Sequence, residues 1–469
     1  MKKQTSIPLC VDLDGTLTKV DTLHQALFLL LRRQPMSLFR WLGWLKKGKA
    51  YFKEEVSKRI ELDVTALPYH QPFLEYLHAE KKAGRTLVLA TAANHRTAQA
   101  VAKHIDLFDA VFSSDATTNL RGIQKRDLLQ KKYTTFDYAG NDASDFPLWE
   151  VAKKRILVNP SRKATQKYAA QADHLFEDRP SFFRSLFKAL RPQQWLKNIL
   201  IFSPLFLAHQ FVSFPVVSSL IAFFSFGLAA SSIYLLNDLF DLSADQHHPR
   251  KKNRPFAAGN LSVPVGLFTT PILILLSLLL ALFLPPAFFG VLLLYYLLTT
   301  FYSWRLKQVE LIDVLTLAVL YTLRIIAGGV ATNIVVSNWF MIFSIFLFLS
   351  LALVKRIAEL KEVETSNGTA RERGYTPDDL PLLSCFGATS GYLAALVFTM
   401  YLNSERVSQL YTHPQLLWLF CPLLLYWITR IWLLTWRGQM KDDPLAFAAR
   451  DVTTYIVGGI GLTLILLAI

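Results

Sequence analysis

A long apolar stretch of this chain ends in the sequence Asn237-Asp238-Leu239-Phe240-Asp241-Leu242-Ser243-Ala244-Asp245. Its three aspartates are spaced i, i+3 and i+7, so on a helix they share one face and could hold a divalent cation between them. Carboxylates are costly inside a bilayer, so this cluster indicates a polar cavity more strongly than the alternative, a solvated helix terminus. Hard oxygen ligands of this kind suit magnesium bound to a diphosphate.

Apolar residues are distributed unevenly along the 469 residues, of which 52% are hydrophobic. Up to about residue 180 charges occur throughout, and no apolar run approaches the roughly 20 residues that span a bilayer. We therefore predict a soluble domain over 1–180, an amphipathic interfacial linker over 181–194 and an all-α transmembrane domain over 195–469. About nine spans are expected in that domain, at 196–212, 215–236, 262–284, 286–303, 311–331, 336–354, 384–402, 415–435 and 452–468.

Basic residues lie almost entirely in alternate loops of the apolar half. They are Arg250, Lys251, Lys252 and Arg254, then Arg305 and Lys307, then Lys355, Arg356, Lys361, Arg371 and Arg373, then Arg437, Lys441 and Arg450, whereas the other loops hold Arg406 alone. The positive-inside rule places the basic loops and the N-terminal domain in the cytoplasm and Ile469 outside. These loops account for most of the net charge of +15, so we expect a membrane-embedded protein without a nucleic-acid partner. No cleavable signal is expected before the first strand, and homo-oligomerisation is left open.

The N-terminal part begins with a short apolar strand over 7–11, followed by Asp12-Leu13-Asp14-Gly15-Thr16. Further strands are predicted at 87–90, 110–112, 136–139 and 156–158, with helical patterns between them. This alternation indicates an α/β domain with a Rossmann-type parallel sheet covered on both faces. Ligands of such sheets bind at the carboxyl ends of the strands, where the two aspartates lie.

Four motifs of this part, taken in order, resemble the haloacid dehalogenase (HAD) superfamily of phosphatases. The resemblance implies that Asp12 attacks phosphorus, Asp14 acts as general acid and base, Thr91 binds the phosphate and Lys125 neutralises its charge. It also implies a helical cap over about 20–85.

The fourth motif departs from the family pattern. Asn141 stands where an aspartate is usual, Asp145 keeps its spacing, and Asp142 either replaces the missing ligand or only forms the turn. The resemblance implies that magnesium is held by Asp12, Asp14, Asn141, Asp142 and Asp145. Both an active phosphatase and a domain that only binds its ligand remain open.

Two short stretches combine aromatic and basic residues. Residues 38–45, followed by Lys46, Lys47 and Lys49, fit a helix at the bilayer interface, but ordinary packing within the cap is an equal alternative. Residues 182–191 show the same pattern, and we expect an interfacial helix that leads into the first span.

The aspartates at 238–245, with Lys252, Asn253, Arg254 and Pro255 after them, make residues 190–469 resemble the UbiA superfamily of intramembrane prenyltransferases. The resemblance implies that Asp238, Asp241 and Asp245 bind magnesium and that Asp238 and Asp241 act in catalysis on a diphosphate. Most of the superfamily has a second aspartate-rich motif on a later loop, where this chain has only Asp313, preceded by Glu310.

Further residues resemble the decaprenyl-phosphate phosphoribosyltransferase branch of this superfamily. By that resemblance, substrate phosphates are bound by Lys197, Asn198, Asn237, Arg254, Lys307, Asp313, Arg324, Lys355 and Arg356. For the cations among them, the alternative is a role as positive-inside anchors, which is weakest for Arg324 because it lies within an apolar segment.

The branch implies transfer of 5-phosphoribose from phosphoribosyl pyrophosphate to a polyprenyl phosphate. A fused phosphatase would then remove the 5-phosphate, a step toward a ribofuranosyl or arabinofuranosyl donor. Two alternatives are left open. One is a prenyltransferase that moves a prenyl group from a prenyl diphosphate to an aromatic or other acceptor, and the other is a phosphatase merely anchored in the membrane.

Overall fold

The computed structural model describes residues 7–365, 374–440 and 443–469, without the side chains of 363–365 and 406. Contacts divide the chain into two compact units. The first unit is Met1–Leu190 with Tyr234–Thr270, and the second unit is Arg191–Ile233 with Pro271–Ile469. The aspartates at 238–245 therefore belong to the same unit as the N-terminal residues, while the predicted domain limits stay predictions. Arg371, Arg373 and Lys441, predicted to lie on the cytoplasmic side, fall outside the described residues, as does the side chain of Arg406.

A six-stranded sheet forms the core of the first unit, and all of its strands are parallel. The strands are β1 (Leu9–Val11), β2 (Leu87–Asn94), β3 (Ala110–Ser114), β4 (Asp137–Gly140), β5 (Arg155–Val158) and β6 (His174–Phe176), and their order in the sheet is β3-β2-β1-β4-β5-β6. The predicted parallel α/β domain is confirmed. Strand β6 was not predicted, because its three residues are mostly exposed and give no apolar run.

The central strand β1 shows why both faces of the sheet are covered. Successive side chains of a strand point to opposite faces. Leu9 and Val11 join one buried cluster, with Phe73 among its members, and Cys10 joins another that contains Trp149. The chain thus gives this strand three apolar residues with no polar face, as a sheet between two helical layers requires.

The α-helices described between residues 7 and 190 are α1 (Thr22–Arg33), α2 (Leu38–Lys46), α3 (Lys49–Arg59), α4 (Gln71–Lys82), α5 (His95–Ile105), α6 (Ile123–Lys132), α7 (Phe146–Val151), α8 (Arg162–Tyr168) and α9 (Phe182–Leu190). In α2, Trp41 and Trp44 pack near the ring of Phe52, with centroid distances of 6.2 and 6.4 Å. Phe39 and Leu42 on the same helix are exposed. The expected packing within the cap is therefore found on one side of α2, while its other side remains apolar and open.

From residue 203 onward the helices are α10 (Ser203–Leu207), α11 (Ser213–Phe240), α12 (Leu242–His247), α13 (Val263–Ala281), α14 (Pro286–Trp304), α15 (Ile312–Thr332), α16 (Asn338–Thr365), α17 (Leu380–Leu402), α18 (Glu405–Leu410), α19 (Phe420–Trp436), α20 (Pro444–Ala448) and α21 (Val452–Ala468). Within the described part of the chain, seven helical stretches are long and apolar enough to cross a membrane. The predicted count of about nine is not confirmed.

Two of the nine predicted spans account for the difference. The stretch expected at 196–212 consists of a 3-10 helix, Pro192–Phe202, and the five residues of α10. Pro204 at the start of α10 has no N–H for a regular helical ladder, which fits the break in this segment. The last predicted span is α21, an apolar helix of 17 residues, shorter than the roughly 20 that cross a bilayer.

Candidate active sites

The loop after β1 opens into a cavity of the first unit of about 640 Å³, which we call the Asp12 cavity. Strand β1 lies between β2 and β4, and Asp12 and Asp14 follow its carboxyl end. Both aspartates line the cavity, as do Asn141 and Asp142 after β4. The sheet therefore gathers residues that are far apart in sequence at the edge where parallel sheets bind ligands.

Lys125 on α6 lies directly against Asp12. Its Nζ is 2.9 Å from Asp12 Oδ1 and donates a second hydrogen bond of 2.9 Å to the hydroxyl of Tyr138. The side chain is 2% exposed, so its charge is held by these partners with little help from solvent. The lysine predicted to neutralise phosphate charge is thus in direct contact with the predicted nucleophile, and its role stays a prediction.

Burial sets the protonation of the two aspartates. It raises the pKa of Asp12 to about 6, with Lys125 opposing the rise and Asp145 adding to it. Burial raises the pKa of Asp14 to about 7, helped by the nearby charge of Asp21 and opposed by the hydrogen bond from the Thr22 N–H at 2.8 Å. Near neutral pH Asp12 is mostly ionised while Asp14 exchanges a proton readily, as a nucleophile and a general acid and base require.

The three predicted metal ligands in the turn after β4, Asn141, Asp142 and Asp145, make different contacts. Asp145 accepts the N–H groups of Asn141 and Asp142 at 2.9 and 3.2 Å and the hydroxyl of Tyr138 at 2.8 Å. A Cβ added at Gly15 would lie 2.1 Å from Asn141 Nδ2, so Asn141 packs over the loop that holds Asp12 and Asp14. Asp145 therefore fixes the turn, and Asn141 and Asp142 present their side chains to the Asp12 cavity.

Thr91 lies within β2, which continues four residues beyond its predicted end. The side chain is fully buried, and its Oγ1 accepts the N–H of Ala93 at 3.0 Å. The next three residues, Ala92, Ala93 and Asn94, line the Asp12 cavity. Phosphate binding by Thr91 stays a prediction.

Lys53 on α3 is a cavity residue that the sequence did not reveal. Its Nζ donates to the carbonyl of Ala92 at 2.6 Å and to Asn119 Oδ1 at 2.8 Å. Burial lowers the pKa of Lys53, and the charges of Asp14 and Asp21 oppose this. Helix α3 contains three other basic residues, so nothing in its sequence distinguishes Lys53 from a solvated lysine.

The aspartates at 238–245 lie at a break between two helices. Helix α11 ends at Phe240 and α12 begins at Leu242, because Asp241 leaves the helical conformation with φ −89° and ψ 4°. Asp238 and Asp245 are each 2% exposed, and Arg254 contacts both, at 3.2 Å from Asp238 Oδ1 and 2.7 Å from Asp245 Oδ2. Burial raises the pKa of Asp245, and Arg254 opposes this rise.

Asp238 and Asp245 hold a positive charge between them. This charge is the Arg254 guanidinium, which contacts both carboxylates, so the two side chains already share one cation. Hard carboxylate oxygens are ligands that magnesium accepts, and the two residues therefore fit the ion. In the described ranges no three His, Cys, Asp or Glu side chains converge on one metal-sized site, so a three-aspartate cluster is not assembled here and stays a prediction.

In the second unit, Arg324 on α15 is buried among neutral groups. It is 6% exposed and donates to Asn198 Oδ1 at 2.9 Å, to the carbonyl of Leu320 at 2.6 Å and to the hydroxyl of Tyr295 at 3.2 Å. The guanidinium also lies over the rings of Tyr295 and Tyr321. Asn198 and Arg324, both predicted to bind phosphate, are thus brought together.

Lys197 and Lys355 share one carboxylate, that of Asp443. The lysine Nζ atoms lie 2.8 and 3.4 Å from Asp443 Oδ2. Burial alone would raise the pKa of Asp443, but the two lysines and a hydrogen bond from the Leu445 N–H lower it to about 2. Asp443 is another residue that the sequence did not reveal, since it lies 246 positions from Lys197.

Asp313 and Arg356, both predicted to bind substrate phosphates, contact each other. Arg356 Nη2 lies 2.7 Å from Asp313 Oδ2, and both side chains are almost fully buried. Tyr375 donates to Asp313 Oδ1 at 2.5 Å, and Arg356 has a second ion pair with Glu359. Of the other predicted residues in the apolar half, Asn237 and Lys307 are half-buried, at the end of α11 and in the 3-10 helix Leu306–Gln308.

Comparison with known proteins agrees with both halves of this description. The UbiA prenyltransferase family matches residues 199–450, and the haloacid dehalogenase-like hydrolase family matches residues 9–132. A protein of Sinorhizobium fredii (strain NGR234), known as uncharacterized protein y4nM, is 36% identical over 463 residues, which are 97% of this chain and 89% of that protein.

Two further similarities concern the apolar half. Decaprenyl-phosphate phosphoribosyltransferase of Mycobacterium tuberculosis (strain H37Rv) is 35% identical over 210 residues, which are 43% of this chain and 70% of that protein. The structure of a UbiA homolog from Archaeoglobus fulgidus bound to GPP and Mg²⁺ covers 60% of this chain and 99% of its own, with 17% identity and a TM-score of 0.44.

The match to the UbiA prenyltransferase family extends over more than half of the chain, and the y4nM protein is similar along nearly all of it. Both resemblances found in the sequence are confirmed. The chain belongs to the UbiA prenyltransferase family, as a multi-pass membrane enzyme that also carries a haloacid dehalogenase-like hydrolase domain.

Proposed function

We propose that this enzyme transfers 5-phosphoribose from phosphoribosyl pyrophosphate to a polyprenyl phosphate and then removes the 5-phosphate from the lipid product. The transfer is supported by the similarity to decaprenyl-phosphate phosphoribosyltransferase, which extends over 43% of this chain. The observation that carries it is Arg324. A buried guanidinium whose hydrogen-bond partners in the described part of the chain are all neutral is costly, and an anionic substrate would compensate its charge.

In the transfer step, an oxygen of the polyprenyl phosphate forms a bond to the anomeric carbon of the sugar. The bond from that carbon to the pyrophosphate oxygen breaks, and pyrophosphate leaves with the electron pair. Asp238, Asp241 and Asp245 would hold the diphosphate through magnesium, which when bound stabilises the charge that develops on the leaving group, and Asn237 would bind a substrate phosphate.

The basic residues of the second unit would orient the two phosphate-bearing substrates. Arg324 is held in place by Asn198 and Tyr295, so its donors are preorganised for an anion. Lys197 and Lys355 are drawn together by Asp443, which places two positive charges beside one negative charge. Lys307 of the second unit and Arg254 of the first unit are further cations for the same task.

In the phosphatase step, an Asp12 oxygen attacks the phosphorus of the 5-phosphate, and the bond from phosphorus to the sugar oxygen breaks. Asp14 gives its proton to that oxygen. Water then attacks the aspartyl phosphate, Asp14 takes a proton from it, and inorganic phosphate leaves while Asp12 is regenerated. Lys125 balances the charge beside Asp12, and Asn141 and Asp142 are the cavity residues that would hold magnesium with the two aspartates.

The sequence distribution of basic residues supports a cytoplasmic location for both reactions, with the C-terminus outside. The products would be made where phosphoribosyl pyrophosphate is supplied. Cysteines introduced at the exposed residues Arg305 and Ile469 should react with a membrane-impermeant reagent from opposite sides of intact cells.

A single assay tests the proposed function. Purified protein in lipid receives polyprenyl phosphate and phosphoribosyl pyrophosphate, and the lipids and released pyrophosphate are measured by mass spectrometry and a coupled assay. The wild type should form the dephosphorylated ribosyl lipid, whereas Asp12→Asn should stop at the 5-phosphate lipid with pyrophosphate release unchanged. Pyrophosphate release with a prenyl diphosphate and an aromatic acceptor, and none with phosphoribosyl pyrophosphate, would instead establish an ordinary prenyltransferase.

A further inference from the structure

The residues that follow the aspartates pack closely on the N-terminal part of the first unit. Gly259 has φ +72°, and a Cβ there would lie 2.7 Å from Lys19 Cβ, 3.0 Å from Val20 Cγ1 and 3.3 Å from Pro68 Cγ. Glycine is therefore required at this contact for two reasons, the backbone conformation and the space.

Several side-chain contacts join the same two parts of the first unit. Arg32 Nη1 donates to the carbonyl of Phe240 at 2.6 Å, and His247 Nε2 lies 2.8 Å from Asp63 Oδ2. The rings of Phe28 and Phe240 are 5.7 Å apart. Polar and apolar contacts thus join α1 and the residues before α4 to the two helices that flank Asp241.

This docking reaches the Asp12 cavity itself. Lys19 and Val20, which Gly259 contacts, line the cavity together with Asp12 and Asp14. Ser262, three residues after Gly259, lines it as well. The chain that comes directly after the aspartates therefore contributes Ser262 to the cavity lining and packs at Gly259 against two other lining residues.

The path from the aspartates to the cavity is short. Arg254, which contacts Asp238 and Asp245, is only eight residues before Ser262, a span of at most about 29 Å even if fully extended. The chain between them is folded into turns, with hydrogen bonds from the N–H groups of Ala258 and Asn260 to the carbonyls of Arg254 and Pro255 at 2.8 and 2.9 Å. The two places are accordingly closer than that limit.

We propose that residues 254–262 form a built-in wall of the Asp12 cavity that receives the phosphorylated lipid directly from the aspartates, without its release into the surrounding membrane. This inference rests on the proposed function, because it concerns the hand-over between the two reactions. Holding the product next to the second site raises its effective concentration there, so dephosphorylation follows transfer with little free intermediate.

Gly259→Ala tests the wall, and Gly84→Ala is its matched control. Gly84 also has a positive φ, +81°, but no atom lies within 4 Å of a Cβ added there, so the control has the backbone strain without the contact. In nanodiscs with polyprenyl phosphate and phosphoribosyl pyrophosphate, Gly259→Ala should raise the peak level of the 5-phosphate lipid at least ten-fold over wild type. Pyrophosphate release and hydrolysis of p-nitrophenyl phosphate should stay within two-fold of wild type in both variants.

The possible outcomes separate the hand-over from the proposed function. Equal intermediate levels in Gly259→Ala, Gly84→Ala and wild type would overturn the hand-over alone. A parallel loss of p-nitrophenyl phosphate hydrolysis in Gly259→Ala would also count against it, since the variant would then have damaged the cavity itself. A wild type that never forms the dephosphorylated lipid would overturn the proposed function.

A second variant covers the case in which Gly259→Ala does not fold. Arg32→Ala combined with His247→Ala removes two polar contacts of the docked segment, and both side chains are exposed, so the fold should survive. The intermediate should again accumulate in this variant, and a time course identical to wild type would overturn the hand-over.

Discussion

The buried ion pair between Asp313 and Arg356 offers the sharpest test of how the second unit uses its charges. The sequence predicts that both residues contact substrate, whereas the structure places them 2.7 Å apart with almost no exposure. Replacing Asp313 by alanine would leave Arg356 buried with only the partly exposed Glu359 as its ion-pair partner among the described residues. If the pair is structural, stability should fall first.

The size of this effect follows from the burial of the pair. Removing one partner of a buried ion pair costs about 3–5 kcal/mol, since the other charge stays buried without compensation. Glu359 still contacts Arg356 and its side chain is 40% exposed, so we expect the lower end, about 3 kcal/mol. For a domain of this size that corresponds to a fall in Tm of about 6–12 °C.

The assay is thermal unfolding in detergent, followed alongside pyrophosphate release. Asp378→Asn is the control, because it removes an exposed carboxylate three residues after Tyr375, which contacts Asp313. It should change the free energy of unfolding by no more than about 0.5 kcal/mol. Asp313→Leu combined with Arg356→Met should recover most of the lost Tm, because apolar side chains replace the pair without leaving a charge behind.

The opposite pattern of results would refute this reasoning. If Asp313→Ala unfolds at the temperature of Asp378→Asn and yet lowers pyrophosphate release more than 100-fold, Asp313 acts on substrate. The pairing with Arg356 would then be incidental, and the solitary aspartate of the later loop would be a true remnant of the second aspartate-rich motif.

Four other predictions concern both units. Arg324→Gln should lower pyrophosphate release at least 100-fold without lowering Tm, because it removes a buried charge whose described partners are neutral. With a chelator present, the Tm of the wild type should rise as the pH falls from 8 to 6. The raised pKa of Asp14 makes the folded state take up a proton in this range, whereas the unfolded chain, in which the pKa of this residue is near 3.8, does not bind it. The variant Asp14→Asn should show a weaker dependence of Tm on pH. Lys53→Met should raise the KM for the 5-phosphate lipid about ten-fold by loss of a charge-assisted contact, while Lys58→Met, on the exposed side of the same helix, should not. Leu42→Glu should slow dephosphorylation of the lipid but leave hydrolysis of p-nitrophenyl phosphate unchanged, if the open face of α2 meets the bilayer.

The parts of the molecule that the sequence predicted correctly depend on short stretches of chain. The strand before Asp12 and the turn after Asp14 are read from ten neighbouring residues, and the alternation of strands and helices then requires a parallel sheet. The contact of Lys125 with Asp12 follows because the sheet edge brings both to one place. Local pattern and fold class together were sufficient for this site.

The parts of the molecule that the sequence did not predict depend on contacts between residues that are far apart along the chain. Lys197 and Lys355 share Asp443, and nothing near either lysine indicates that carboxylate. The i, i+3 and i+7 spacing of the three aspartates places them on one face only if one helix extends through Asp245, but Asp241 leaves the helical conformation, and no neighbouring glycine or proline indicates this break. Convergence of the three aspartates on one metal ion therefore stays a prediction.

The buried charges of the two units call for ligands of opposite sign. In the Asp12 cavity, burial raises the pKa values of two carboxylates that share the neighbourhood of one lysine, so a cation would relieve the strain of ionising both. In the second unit the sign is reversed, because the Arg324 guanidinium is a buried cation whose described hydrogen-bond partners are neutral. A reaction between two phosphate-bearing substrates in the presence of magnesium supplies both signs of charge. An uncharged aromatic acceptor would add no anion of its own, so an anionic acceptor accounts better for the cost of keeping Arg324 buried.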